Sequence, residues 1–226
     1  QALEWYINTV SERFASANYH HLNLLGFYWT GESIDSEQHD TVRWTADFLH
    51  SRKLKFYWIP YFTAAGVEHW QEVGFDAMML QPNYFFEGSG GINRLMLAAK
   101  RALVLGSGIE MEFDARAFTK EEHYQRYWDY LDAGVKYGWM KDSLLGWYEG
   151  GGALRRMFEE GEKGRMMYEA LYHFVKGDYI PENTDRLPTL IVMPPRETGE
   201  NLALASLGTK IHGAIDDGKP GLAPHR

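Results

Sequence analysis

The stretch Ile109-Glu110-Met111-Glu112-Phe113-Asp114 decides how this chain is read. Apolar and acidic residues alternate through all of it. In a β-strand that alternation puts Glu110, Glu112 and Asp114 on one face and Ile109, Met111 and Phe113 on the other. The apolar face calls for a cover of helices. The acidic face, if enclosed, suffers desolvation and mutual repulsion that ordinary core packing does not sustain. An amphipathic edge strand with its carboxylates in solvent is the plainer alternative, but enclosed parallel strands seldom carry the pattern, so the face reads as a site.

Outward from this strand, short apolar runs alternate with stretches of helical period, as expected of βα units around a parallel sheet. The runs are Leu22 to Trp29, Lys55 to Tyr61, Asp76 to Gln81, Ile109 to Phe113 and Leu144 to Tyr148. Helices are predicted over Ala2 to Ala17, Glu37 to Arg52, Ile92 to Leu105, Lys120 to Tyr137 and Gly161 to Val175, with a short helical turn over Val67 to Val73. Val42, Phe48 and Leu49 are expected to face the sheet. After Gly177 the prolines at 181, 188, 194, 195, 220 and 224 interrupt every possible element. Residues 1–179 therefore read as one catalytic domain and 180–226 as an irregular or disordered extension, in which Thr189 to Met193 could form one extra strand.

Five βα units without a hairpin signal allow an open doubly wound sheet or part of an eight-stranded barrel. No glycine-rich phosphate turn follows the first strand, and polar or aromatic residues close all five strands, where barrel enzymes place their sites. The expectation is an α/β protein of the (β/α)8 TIM-barrel class, this chain covering its last five βα units, with three units preceding it.

Composition narrows the function. The chain has 226 residues, 45% hydrophobic and 24% charged, and a formal net charge of −8. No clustered basic face is visible, which argues against nucleic acid as a partner. Cysteine is absent, so disulfides, thiolate metal sites and a cysteine nucleophile are excluded. No apolar run reaches the ~18 residues of a membrane span. His20, His21, His39, His50, His69 and His123 lack metal-ligand spacing, so no metal is expected, nor any cofactor, and the lack of a GxSxG elbow argues against an α/β-hydrolase triad. Aromatic residues make up 15% of the chain. Most are core, but rings exposed in a cleft stack on the apolar faces of sugars.

The remaining strand ends extend the acidic face. Gly26-Phe27-Tyr28-Trp29-Thr30-Gly31-Glu32 ends in two aromatics, a glycine and a carboxylate. If Leu144 to Tyr148 is the eighth barrel strand, Glu112 lies on the seventh and Glu32 follows the fourth, the positions at which many retaining glycosidases of that fold keep nucleophile and acid/base. By that analogy Glu112 and Glu32 are the catalytic pair. Gln81 and Asn83, in Gln81-Pro82-Asn83-Tyr84, share parity and could reach one ligand hydroxyl. With Tyr28, Trp29, Tyr61, Tyr84, Glu110, Asp114 and Tyr148 they complete the expected substrate-binding set. Should Glu32 and Glu112 stand too far apart to act together, the acid/base role passes to Glu110, Asp114 or Glu149.

The runs Phe56-Tyr57-Trp58-Ile59-Pro60-Tyr61, Gly74-Phe75-Asp76, Gln81-Pro82-Asn83-Tyr84, Glu110-Met111-Glu112 and Tyr172-His173-Phe174-Val175-Lys176-Gly177 together resemble a bacterial TIM-barrel domain-of-unknown-function family, DUF4855, related to glycoside hydrolases. The resemblance spans Gly26 to Tyr179. It implies a barrel and a polysaccharide-related role without naming a sugar. The function expected is hydrolysis of a glycosidic bond, with a polysaccharide lyase and a non-catalytic carbohydrate-binding barrel as the alternatives. A secreted or cell-surface location would follow from such a substrate.

Overall fold

The computed structural model describes residues 1–87 and 90–190. The chain divides into two compact units, Gln1–Met78 and Met79–Arg226.

The first unit holds α1 (Ala2–Ser16), β1 (Gly26–Trp29), α2 (His39–His50), β2 (Lys55–Trp58), a 3₁₀ turn over Val67–His69 and the start of β3 (Ala77–Leu80). β1 and β2 pair in parallel from Gly26↔Lys55 to Trp29↔Trp58, and Tyr57↔Ala77 and Trp58↔Met78 carry the register into β3. Aromatic residues suit a pleated, half-buried surface, and here they build the core. The Phe75 ring stacks on Phe56 at 4.5 Å and on Trp58 at 5.2 Å. Asp76 anchors the start of β2, its carboxylate accepting from Phe56 N, Lys55 Nζ and His50 Nε2 at 2.7–2.8 Å.

Helix α2 buries Val42, Thr45, Ala46 and Leu49. Phe48, expected among them, instead stacks on Trp44 at 5.1 Å with the Arg52 guanidinium 3.5 Å from its ring centre. The reason is angular. At 3.6 residues per turn Phe48 lies about 120° round the helix from Val42, outside the buried stripe.

The second unit opens with the rest of β3 and continues through α3 (Tyr84–Glu87), α4 (Asn93–Leu105), β4 (Gly108–Asp114), α5 (Arg116–Thr119), α6 (Glu121–Lys136), α7 (Trp139–Asp142), β5 (Leu145–Gly150), α8 (Ala153–Glu159) and α9 (Gly161–Lys176). Leu80↔Ile109 joins β3 to β4, and β4 runs beside β5 from Ile109↔Leu145 to Asp114↔Gly150. A Cβ on Gly108 would lie 2.0 Å from the Leu144 carbonyl oxygen, so only glycine lets the two chains meet there. The apolar set of β4 faces helices, as its alternation predicts: Phe113 meets Tyr127 of α6 edge-on at 5.5 Å. On β5, Trp147 meets Phe174 of α9 at 6.1 Å. Phe113 and Phe174, both buried, each contribute about 1.5–3 kcal/mol.

The five strands follow in the order β1-β2-β3-β4-β5 and every pair is parallel. This corrects the expected (β/α)8 TIM barrel. A closed barrel pairs its last strand with its first, whereas β1 and β5 are the ends of this order, so the fold is an open five-stranded parallel α/β sheet among the described residues. Strand-end chemistry could not separate the two, because open parallel sheets also gather their ligand groups at the carboxyl ends of strands.

Residues 178–190 contain no helix or strand, yet Leu187 is buried. Thr189 and Leu190 are not in a strand. The rest of the possible strand there, 191–193, and the remainder of the extension lie outside the described residues. No described helix is long and apolar enough to cross a membrane.

Candidate functional site

The acidic face of β4 lies in the second unit and is built on direct register. Glu110 stands beside Gly146, Glu112 beside Tyr148 and Asp114 beside Gly150 on β5. Gln81, one residue past Leu80, falls by alternation on the face of Glu110. The sequence-derived set Gln81, Glu110, Glu112, Asp114 and Tyr148 is thus brought to one face.

Glu112 is only 2% exposed. The Tyr130 hydroxyl of α6 donates a short hydrogen bond to its Oε2. The Tyr130 ring packs against that of Tyr84, at the start of α3, with the ring centres 6.0 Å apart. Burial, and then the adjacent Glu112, pushes the Tyr130 phenol well above its ordinary range, so it stays protonated and acts as the donor. Tyr84 is buried in turn and donates to Asp129 Oδ2 at 2.7 Å. Tyr84, expected to contact substrate, is therefore part of the support beneath Glu112.

Asn83 adopts a left-handed conformation, φ 53°, which asparagine tolerates better than most residues. Its amide donates to Gln81 Oε1 at 3.1 Å, so the two amides meet each other.

Nearer the surface Asp114 is gripped by Arg116, whose Nε lies 3.1 and 2.9 Å from the two carboxylate oxygens and whose backbone amide donates to Oδ1 at 2.8 Å. The guanidinium carbon sits 4.9 Å from the centre of the Phe86 ring. Phe86 meets Tyr148 edge-on at 5.4 Å. Tyr148 is 49% exposed. Its ring lies over Gly150, where a Cβ would come within 2.9 Å of Tyr148 Cε1 and of Asp114 Cβ. Glycine there lets the ring lie down, and an exposed aromatic face results, flanked by a fixed carboxylate and a fixed cation.

The other predicted residues belong to the first unit. Tyr28 is exposed, Trp29 packs edge-on against Phe56 at 6.0 Å, and Tyr61 is half-buried. Glu32 is exposed in the bend after β1. Its pairing with Glu112 came from counting strands in an eight-stranded barrel, and that count has no basis in an open five-stranded sheet. Glu149 has opposite parity to Glu112 and caps α8, accepting from Leu154 N at 2.8 Å.

Three contributors were not singled out from sequence: Tyr130, Arg116 and, as a ring with a role, Phe86. Tyr130 sits in a helix whose period explains it as core, and only its place opposite an acidic strand could have marked it. Among the described residues no group of three or more His, Asp or Glu is arranged to hold a metal ion. Compared with known proteins, the chain matches over residues 1–173 the family model described as a domain of unknown function, DUF4855. No curated protein matches it.

Proposed function

We propose that this chain, which belongs to the domain-of-unknown-function family DUF4855, acts on carbohydrate and hydrolyses a glycosidic bond at the C-terminal ends of β3, β4 and β5. The observation that supports this reading is the side-by-side placement of Glu112 and Tyr148, a carboxylate fixed by a buried hydroxyl next to an exposed ring. Glycoside hydrolysis passes through an oxocarbenium-like transition state, which a fixed carboxylate stabilises by charge or captures as nucleophile. The hydrogen bond from Tyr130 favours the ionised form that either role needs. Tyr148 offers the face on which a sugar ring stacks.

The reaction needs a second carboxyl group to protonate the leaving oxygen. Within this unit Asp114 is held by Arg116 and Glu149 has the opposite parity, whereas Glu110 stands on the same face as Glu112, two residues before it. Glu110 is our proton donor.

A second reading is favoured by one observation: Glu110 and Glu112 are 6% and 2% exposed. In it the rim of Tyr148, Phe86, Asp114 and Arg116 binds glycan and the carboxylates beneath only shape it. A panel of polysaccharides, assayed for both binding and new reducing ends with Glu112→Gln and Tyr148→Ala, separates the two. Hydrolysis requires turnover that Glu112→Gln removes while binding persists. Binding without turnover, lost in Tyr148→Ala, supports the second reading, and an ultraviolet-absorbing unsaturated product would indicate a lyase.

A further inference from the structure

Helix α6 carries two buried aspartates, Asp129 and Asp132, 2% and 3% exposed. Buried carboxylates require partners, and an unpaired one costs several kcal/mol. Gln125 and Tyr84 donate to Asp129, and the remaining partners come from residues 178–190, beyond the span matched by the family. Arg186 Nε lies 2.8 Å from Asp129 Oδ1 and its second nitrogen 2.6 Å from Asp132 Oδ2. Tyr179 donates to Asp132 Oδ1 at 2.7 Å. Three further bonds hold the segment along the end of α6. Lys136 Nζ donates to the carbonyls of Thr184 at 2.9 Å and Leu187 at 2.8 Å, and the Tyr137 hydroxyl donates to Pro188 O at 2.7 Å.

Asp129 faces two ways. One oxygen takes Arg186 and the other takes the Tyr84 hydroxyl. Tyr84 opens α3, and its ring packs at 6.0 Å against that of Tyr130, whose hydroxyl donates to Glu112. A run of hydrogen bonds joined by one ring contact thus leads from a surface strap to the buried carboxylate.

We infer that Arg186 is a positioning residue for Glu112, acting through Asp129, Tyr84 and Tyr130, so that the 178–190 strap sets the geometry of the acidic face. This rests on the reading of Glu112 as the reacting carboxylate, but the placement of Tyr84 and Phe85 can be read without any substrate. The guanidinium supplies two donors at a fixed spacing to two carboxylates, which a lysine ammonium cannot reproduce.

The test uses the full chain with Arg186→Met, Arg186→Lys and Tyr84→Phe, native-state hydrogen exchange and, where a glycan is turned over, kcat and KM. Tyr84→Phe removes the link and leaves the strap in place, so it serves if Arg186→Met does not fold. Expected is a rise of about tenfold in exchange at the Tyr84 and Phe85 amides in each variant, as for loss of one hydrogen bond to a charged group. Amides of α9 should not change, kcat should fall with KM nearly unchanged, and the Arg186→Met and Tyr84→Phe effects should not add. Unchanged exchange at Tyr84 and Phe85, or a rise of the same size throughout α6 and α9, would overturn the inference. The expected exchange pattern with no turnover of any glycan would keep the positioning role and remove the hydrolase reading.

Discussion

Tyr130 donates its hydroxyl hydrogen to Glu112 while its ring packs at 6.0 Å against that of Tyr84. One side chain therefore links helix α6, the start of α3 and the acidic strand β4, and its proton holds Glu112. Tyr127, buried in the same helix, donates to Met167 O at 2.7 Å.

Burial pushes the phenols of Tyr84, Tyr127, Tyr130, Tyr137 and Tyr179 above their ordinary value of 10.0. The folded state then holds protons that the unfolded state releases above that pH. The corresponding stability is complete below pH about 10 and is lost as pH climbs from there towards the folded-state values. An alkaline titration followed by tyrosinate absorbance should show these residues ionising together with unfolding.

His123 gives the opposite dependence. It is 3% exposed, its ring nitrogens have no hydrogen-bond partner among the described residues, and its Nδ1 is 3.4 Å from a Glu122 oxygen. Burial, then the nearby Arg126 and Arg116, lowers its pKa from 6.5 against the pull of Glu122. The stability this represents is present above pH 6.5 and is lost as pH falls through the lowered value. Between about pH 7.5 and 5, His123→Phe should lose less urea stability than the parent chain. An equal loss would show that His123 is not the group responsible.

Gly108→Ala should be costly. Its Cβ would meet backbone, not a movable side chain, at the entrance to β4. A loss of at least about 1–3 kcal/mol in denaturant unfolding is expected, the range for forced overpacking.

Arg116→Ala should separate binding from stability. Its side chain is 37% exposed, so its ion pair with Asp114 adds little to folding, under about 1 kcal/mol. The same change frees Asp114 and removes the cation from the Phe86 face beside Tyr148. Glycan affinity should fall several-fold while the denaturation midpoint barely moves.

Period and alternation made much of this legible. The Ile109 to Asp114 pattern gave the strand and both of its faces, and the apolar runs placed all five strands within a few residues. What escaped depended on distant partners. Closure of the sheet cannot be read from strand ends, since Gln81, Glu112 and Tyr148 would gather at one rim in an open or a closed sheet alike. The burial of Glu112 depends on Tyr130 reaching it from α6, eighteen residues later. Arg186 lies in a proline-bounded stretch with no period, where nothing local announces that it docks on two aspartates more than fifty residues earlier. The short helix α8 follows Gly150-Gly151-Gly152, which reads as a turn and hid it.

Release of new reducing ends from a polysaccharide panel, by the full chain and by Glu112→Gln side by side, tests the assignment of Glu112 most directly. At least one polysaccharide should be cleaved, with the rate reduced about a hundredfold or more in Glu112→Gln, the scale of losing a group that acts in the transition state, and with the variant still binding that glycan. Cleavage by Glu112→Gln at the parent rate would contradict it.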